Sequence, residues 1–304
     1  ASTTGTAGYG GVYMSVFFQL AFDGLTIGLI YIILAAGLVL ILSVTEIFFV
    51  AYGQFYMWGA YITWYSVDHF KLPYFLGLLV AIVATLVLGL ASYILIFRRM
   101  QHVVGRFLIT VTAALGISLI LSKAVLLVFG TQPKSIPNVF PGAIDVGGVH
   151  MEVKKLALIG MGVLVTLIVF WVYEKTRVGR AMRAVSLNSE VAALHGINPT
   201  WVYLLTLGIG CALAGLAGGL LAPAYNLSSG MGDNVIASVL LMTMLGGMDS
   251  LLGAVVGGLI VGEVLSFGQY YVHQMNVVYL FLFIGLIIYF RPNGLLGRRT
   301  DLGV

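Results

Sequence analysis

Apolar residues run through the chain in long blocks separated by short polar or glycine-rich intervals, and the block lengths set the first expectation. A helix needs roughly 20 apolar residues to cross a ~30 Å hydrocarbon core. The blocks at 16–42, 47–66, 74–97, 107–129, 201–222 and 251–271 meet that length. The block 156–173 is slightly short but has clear polar flanks, and 235–246 and 276–290 are shorter still. Eight or nine crossings are expected. All should be helical, because lipid leaves an open strand edge without hydrogen-bond partners. The ten-residue alternation of a membrane β-barrel is not present. The expected fold class is therefore an all-α, polytopic transmembrane helical bundle, with two broken or short segments at 47–66 and 235–250.

Composition sharpens this picture. Hydrophobic residues make up 60% and charged residues only 9% of the 304 positions, against about 25% charged in an ordinary soluble domain. Fifteen basic and eleven acidic residues cannot clothe a soluble core of this size. A soluble enzyme, a nucleic-acid binder and a disordered chain are excluded as readings. No basic n-region precedes the first apolar block, whose first following basic residue is Lys71, so no secretory signal is expected. Residues 1–15 read as a flexible N-terminal end, 16–297 as the transmembrane domain and 298–304 as a cytoplasmic tail. The single Cys211 lies in an apolar block and reads as a packing residue.

The placement of Lys and Arg gives an orientation. Arg98, Arg99, Arg106, Lys175, Arg177, Arg180, Arg183, Arg291, Arg298 and Arg299 fall on one side if every block crosses once. The other side holds Lys71, Lys134, Lys154 and Lys155. Basic residues accumulate in cytoplasmic loops, so the N-terminus is expected outside and the C-terminus inside. The external loop 130–155 contains AIDV-GG-VHMEV, which reads as a β-hairpin around Gly147-Gly148. The cytoplasmic loop 174–200 carries Arg177, Arg180 and Arg183 as a helical stripe. After it comes a two-turn helix capped by Asn188 or Ser189, with Glu190 in its first turn and Gly196 just past its end.

That loop is the segment that points to a family. Gly179-Arg180-Ala181-Met182-Arg183-Ala184, followed by Ala192-Ala193-Leu194-His195-Gly196-Ile197-Asn198, resembles the coupling loop of ABC importer permeases, specifically of the Liv-type branched-chain amino-acid permease family. Three further segments agree in order. Residues 50–61 (VAYGQFYMWGAY) resemble the family's Asn-Phe-Ala-His-Gly-Glu/Gln segment. Leu245 to Gly258 (LGGMDSLLGAVVGG) resembles its Gly-Gly-x-Gly-Ser stretch, and Arg291 to Gly297 (RPNGLLG) its Pro-x-Gly-Leu-x-Gly ending. Three positions depart from the pattern: Tyr52 stands for the usual His, Phe49 for Asn, and Asp249 for the glycine before Ser250.

What the resemblance implies is a permease subunit of a bacterial ABC importer in the inner membrane. Its expected partners are two ABC ATPase subunits, a second homologous permease, a periplasmic solute-binding protein and the lipid bilayer, with no nucleic acid. The cargo would be a branched-chain or related amino acid. Arg180, Arg183, Glu190, Ala192, Ala193 and Gly196 are the expected ATPase contacts. The alternative is a stand-alone channel or ion-coupled transporter for a small neutral solute such as urea or an amide.

Paired broken segments point to a transport pathway, which places Tyr52, Gln54, Tyr56, Gly246, Gly247 and Ser250 on the solute path, with a bend at Gly53 bringing Gln54 beside the tyrosines. Gly59 would leave open space next to their rings. Tyr52 and Tyr56 as interface-belt aromatics is the competing expectation. Glu263, about 12 residues into its block, is the deepest acid and joins the candidates. Asp23, Glu46 and Asp233 lie near block ends, where snorkelling accounts for them. Gly215-x-x-x-Gly219, Gly253-x-x-x-Gly257 and Gly258-x-x-x-Gly262 read as helix-packing motifs. No metal pair, phosphate loop or nucleophile elbow is present, so neither enzyme chemistry nor a cofactor is expected and ATP hydrolysis falls to other chains.

Overall fold

A computed structural model describes residues 7–100, 106–136, 142–146, 149–271, 276–291 and 294–296. The first helix, α1 (Ala7–Thr45), is followed by α2 (Tyr52–Asp68) and α3 (Tyr74–Ser92). α3 continues through a π-helical turn, Tyr93–Phe97, into a last turn, α4 (Arg98–Met100). Next come α5 (Arg106–Phe129), strands β1 (Ala143–Val146) and β2 (Val149–Glu152), and α6 (Val153–Lys175). Two short helices, α7 (Arg177–Leu187) and α8 (Ser189–Leu194), lead into α9 (Pro199–Leu221). α10 (Met231–Gly246), α11 (Leu251–Tyr271) and α12 (Asn276–Phe290) complete the chain.

The helical bundle is as expected, and among the described residues six helices are long and apolar enough to cross a membrane. α2, α10 and α12 are shorter, with 17, 16 and 15 residues. β1 and β2 pair antiparallel with Val146 opposite Val149 and Ala143 opposite Glu152. The hairpin therefore forms where expected, while its Gly147-Gly148 turn lies outside the described residues. So do the N-terminal residues 1–6 and the tail from Gly297.

Burial separates a centre from a rim. The most apolar stretches of α1 and α9 are 78% and 72% buried, whereas those of α3, α5 and α6 are 22%, 22% and 11% buried. The latter three present Val83, Leu119, Leu127, Leu164 and Leu167 outward, the surface a hydrocarbon solvent accepts. Glycine lets the central helices touch. A Cβ on Gly59 or Gly215 would strike the facing helix, one on Gly218 would strike the Tyr56 backbone, and Gly262 meets Gly28 of α1. Close backbone approach of this kind drives helix association where water is absent.

α1 also sets the height of the bundle. Asp23 pairs with Lys155, next to the hairpin, at 2.5 Å. Val44, 21 residues on, packs with Met182, Val185 and Ala192 of α7 and α8. At about 1.5 Å rise per residue the two ends are roughly 30 Å apart, one hydrocarbon thickness. The hairpin and the α7–α8 pair thus occupy opposite ends. The Arg98-Arg99 turn lies at the α7–α8 end, since Phe97 packs on Phe49 at 5.6 Å and Phe107 faces Phe48 at 6.5 Å.

Candidate functional site

The chain leaves α1 at Thr45, turns through Glu46 with φ 55°, and re-enters a helix only at Tyr52. Residues 46–51 are the break in the second apolar block, and they end two residues before the expected bend at Gly53. Gly53 lies inside the first turn of α2, and a Cβ there would strike the Gly232 carbonyl of α10. Glycine is required at that position by a helix–helix approach, not by a kink. The space beside Gly59 is likewise taken, by the Gly215 backbone of α9.

Tyr52, Gln54 and Tyr56 are each at most 1% exposed, which removes them from any headgroup belt. Gln54 donates through Nε2 to Asp233 Oδ1 of α10 at 2.6 Å and to Ser118 Oγ of α5 at 3.3 Å. A carboxylate only accepts, so the amide nitrogen must face Asp233. Among the described residues, Gln54 Oε1 is then left with no hydrogen-bond partner, and so is the Tyr52 hydroxyl, which lies against Gly37 of α1. A buried polar atom without a partner costs about 1–3 kcal/mol. Two of them in one helical turn mark a place where stability yields to another demand.

Asp233 corrects the sequence reading. Its side chain does not reach for the interface; it is held by Gln54 and sits in the first turn of α10, where the helix dipole favours a negative charge. The sequence does carry a signal for it. Met231-Gly232-Asp233-Asn234 places an acid and a glycine at the head of a short apolar helix in the opposite half from Gln54. Ser118 gives no such signal, since serine in an apolar helix commonly bonds its own backbone.

The other expected path residues lie elsewhere. Gly246 and Gly253 meet backbone to backbone at the far end of α10, about 21 Å along the helix from Gly232 by helical rise. Gly247 turns with φ 103°, and the Ser250 hydroxyl accepts from Gly253 N at 3.0 Å. Leu295 N and Leu296 N then bond the carbonyls of Leu245 and Gly246 at 2.8 and 3.2 Å. That break is closed on itself. Glu263 of α11 packs against Gly24 of α1, next to the hairpin end, away from Gln54.

At the opposite end, Thr176 caps α7 by accepting from Gly179 N, and Asn188 caps α8 by accepting from Glu190 N and Val191 N, both at 3.0 Å. Gly196 then takes φ 82° with nothing within 4 Å of a Cβ, the left-handed position that ends a helix. Ala192 points inward, 5% exposed, in a cluster with Val44, Met182, Val185 and Val202. Glu190, Ala193, Leu194 and Arg180 face outward. Leu187 and Leu194 are 75% and 86% exposed. Arg183 folds back, bonding the carbonyls of Tyr173 and Glu174 and lying 5.1 Å over the Tyr173 ring. It caps α6 instead of projecting. A cavity of about 310 Å³ opens beneath α8, lined by Val44, Glu46, Leu187, Asn188 and Tyr203.

A multi-pass helical bundle with a rigid capped helix at one end and a polar junction of broken helices inside defines a membrane permease. The sequence matches the family described as "Branched-chain amino acid transport system / permease component" over residues 20–290. The chain belongs to that family. Among relatives, the high-affinity branched-chain amino acid transport system permease protein LivH of Escherichia coli is 30% identical over 93% of this chain and 96% of its own length. BraD of Pseudomonas aeruginosa, a permease protein of the same description, is 29% identical over the same shares. A probable LivH of Methanocaldococcus jannaschii is 27% identical over 79% of this chain and 77% of its own. A solved chain of PsaBC from Streptococcus pneumoniae aligns over 90% of both chains with a TM-score of 0.49 and 12% identity, a likeness too loose to carry function.

Proposed function

We propose that the chain is a membrane-spanning subunit of an ABC importer that carries a branched-chain or related amino acid. A periplasmic binding protein hands the solute to the hairpin end, and two separate ATPase subunits grip α7 and α8 at the cytoplasmic end. A second homologous permease completes the pathway. The N-terminus lies outside and the C-terminus inside, in the inner membrane of a bacterium. The relatives' printed activities support the cargo.

One observation carries the coupling reading. α8 is held rigidly through Ala192 while Leu187, Val191 and Leu194 stand exposed beyond the bundle end. Apolar side chains on a capped helix outside the hydrocarbon, beside a cleft, are what a partner protein buries. Glu190, Ala193 and Arg180 rim that surface, and Gly196 fixes where the chain leaves it. Ala192 and Arg183 serve instead to hold the unit on α1 and α6.

The test is Leu194→Glu, with co-purification of the ATPases and ATP-driven leucine uptake as the two measurements. A charge at this exposed site leaves the bundle folded, so ATPase recovery and uptake should fall together by about tenfold or more. Wild-type co-purification and uptake would remove α8 from the docking surface. Solute flux in vesicles without ATP would favour a channel for a small neutral solute.

A further inference from the structure

We propose that Asp233 and Gln54 form the acceptor site that receives the ammonium group of the transported solute. The inference rests on the transport reading above and names the chemistry of its site. Asp233 belongs to α10 and Gln54 to α2, two short helices from opposite halves of the chain, joined at 2.6 Å. Gln54 is 1% exposed and Asp233 is exposed, so the pair has a buried side and an open side.

The inventory of donors and acceptors selects the ligand. Both N–H groups of Gln54 are committed, to Asp233 and to Ser118. Within the pair, what is left over among the described residues is acceptors only: the partnerless Gln54 Oε1 and the second oxygen of Asp233, while the unpartnered Tyr52 hydroxyl lies against Gly37 of α1 instead. Gln54 Oε1 is directed at Gly232, the residue before Asp233, where a Cβ would lie 2.9 Å from it. Glycine keeps that approach open. Acceptors without donors, one of them charged, are completed by a cationic group that carries several N–H bonds, and a primary ammonium is the compact group of that kind. An uncharged urea or amide nitrogen fills the hydrogen bonds but leaves the carboxylate unneutralised in an apolar span.

A purely structural brace makes a different prediction, and Asp233→Asn separates the two. Asparagine keeps an oxygen that accepts from the Gln54 amide, so the brace between α2 and α10 survives and only the charge is lost. In vesicles carrying the complete transporter and its binding protein, leucine uptake by Asp233→Asn should fall on the order of 30-fold, with the subunits still co-purifying. Asp233→Glu should recover part of the loss. Wild-type leucine uptake in Asp233→Asn overturns the proposal.

A second measurement needs neither solute nor ATPase. Ser118→Cys places a thiol beside Gln54 for two small thiol reagents, aminoethyl (cationic) and sulfonatoethyl (anionic) methanethiosulfonate. The cationic reagent should react faster, and adding Asp233→Asn should erase the difference. Equal rates before that change overturn the proposal. Failure of wild-type leucine uptake alongside a labelling preference would count against the amino-acid reading, not against the acceptor site.

Discussion

Residues 46–54 and residues 244–253 both include an interruption between apolar helices, one in each half of the chain, and both contain a glycine in close backbone contact across helices. They differ in what happens to the polar groups in and beside the break. In the second, the carbonyls of Leu245 and Gly246 are taken by the chain's own C-terminal residues Leu295 and Leu296, and Ser250 takes Gly253 N. In the first, Gln54 reaches across to Asp233 and Ser118, yet Gln54 Oε1 and the Tyr52 hydroxyl remain without partners. A broken helix in lipid must return its freed groups to hydrogen bonds. Where the protein does so itself, the break is architecture. Where it does not, a solute can.

The largest expected effect makes the two breaks look alike. Gly53→Leu drives a side chain into the Gly232 carbonyl, and Gly246→Val drives one into the Gly253 backbone. Neither obstacle is the end of a flexible side chain, so the helices must part, at about 3 kcal/mol or more each. Yield of folded protein in detergent should drop for both. If only one fell, the two contacts would not be equivalent in holding the bundle.

A smaller effect should separate them. Gly294 has φ 76°, and a Cβ there would lie 2.7 Å from Gly247 N and from Met244 O. Gly294→Ala strains the left-handed backbone by roughly 1–2 kcal/mol and pushes the tail off the α10–α11 turn. Thermal stability should fall while the relative uptake of leucine, isoleucine and valine stays as in the unaltered protein. A changed preference would return Gly246, Gly247 and Ser250 to the solute path.

The bundle, its hairpin and the capped α7–α8 pair were legible because each rests on local rules: apolar length, turn residues and capping residues within a few positions. The junction was not, because it depends on which helices meet. Tyr52 and Tyr56 were placed on one face of a helix and Gln54 was expected to join them through a bend at Gly53, which lies instead inside α2; the partner from the other half was sought at Gly246–Ser250, since glycine pairs are conspicuous. The residue that meets Gln54, Asp233, looked like a charge at a block end. Periodicity gives the face a residue occupies and says nothing of the height at which α2 meets α10. Arg183 shows the same limit: its place in a basic stripe was plain, its turn back onto the α6 carbonyls was not.

The smallest effect tests the orphaned atoms themselves. Tyr52 is fully buried, and its hydroxyl accepts and donates nothing among the described residues. Removing it by Tyr52→Phe deletes an unsatisfied group while the ring keeps its packing against the bundle centre. The folded protein should gain up to about 1 kcal/mol, a rise in melting temperature of about 2–4 °C for a chain of this size. A hydroxyl bonded to a group within the protein would give the opposite sign, because the phenylalanine would strand that partner. Stability and transport then pull apart. If the hydroxyl waits for the solute or for water accompanying it, Tyr52→Phe is more stable and slower in uptake, whereas a packing residue would be more stable and unchanged. A melting curve and an uptake rate on the same preparation decide between them. A fall in melting temperature would place the first break with the second, as a junction the protein closes by itself.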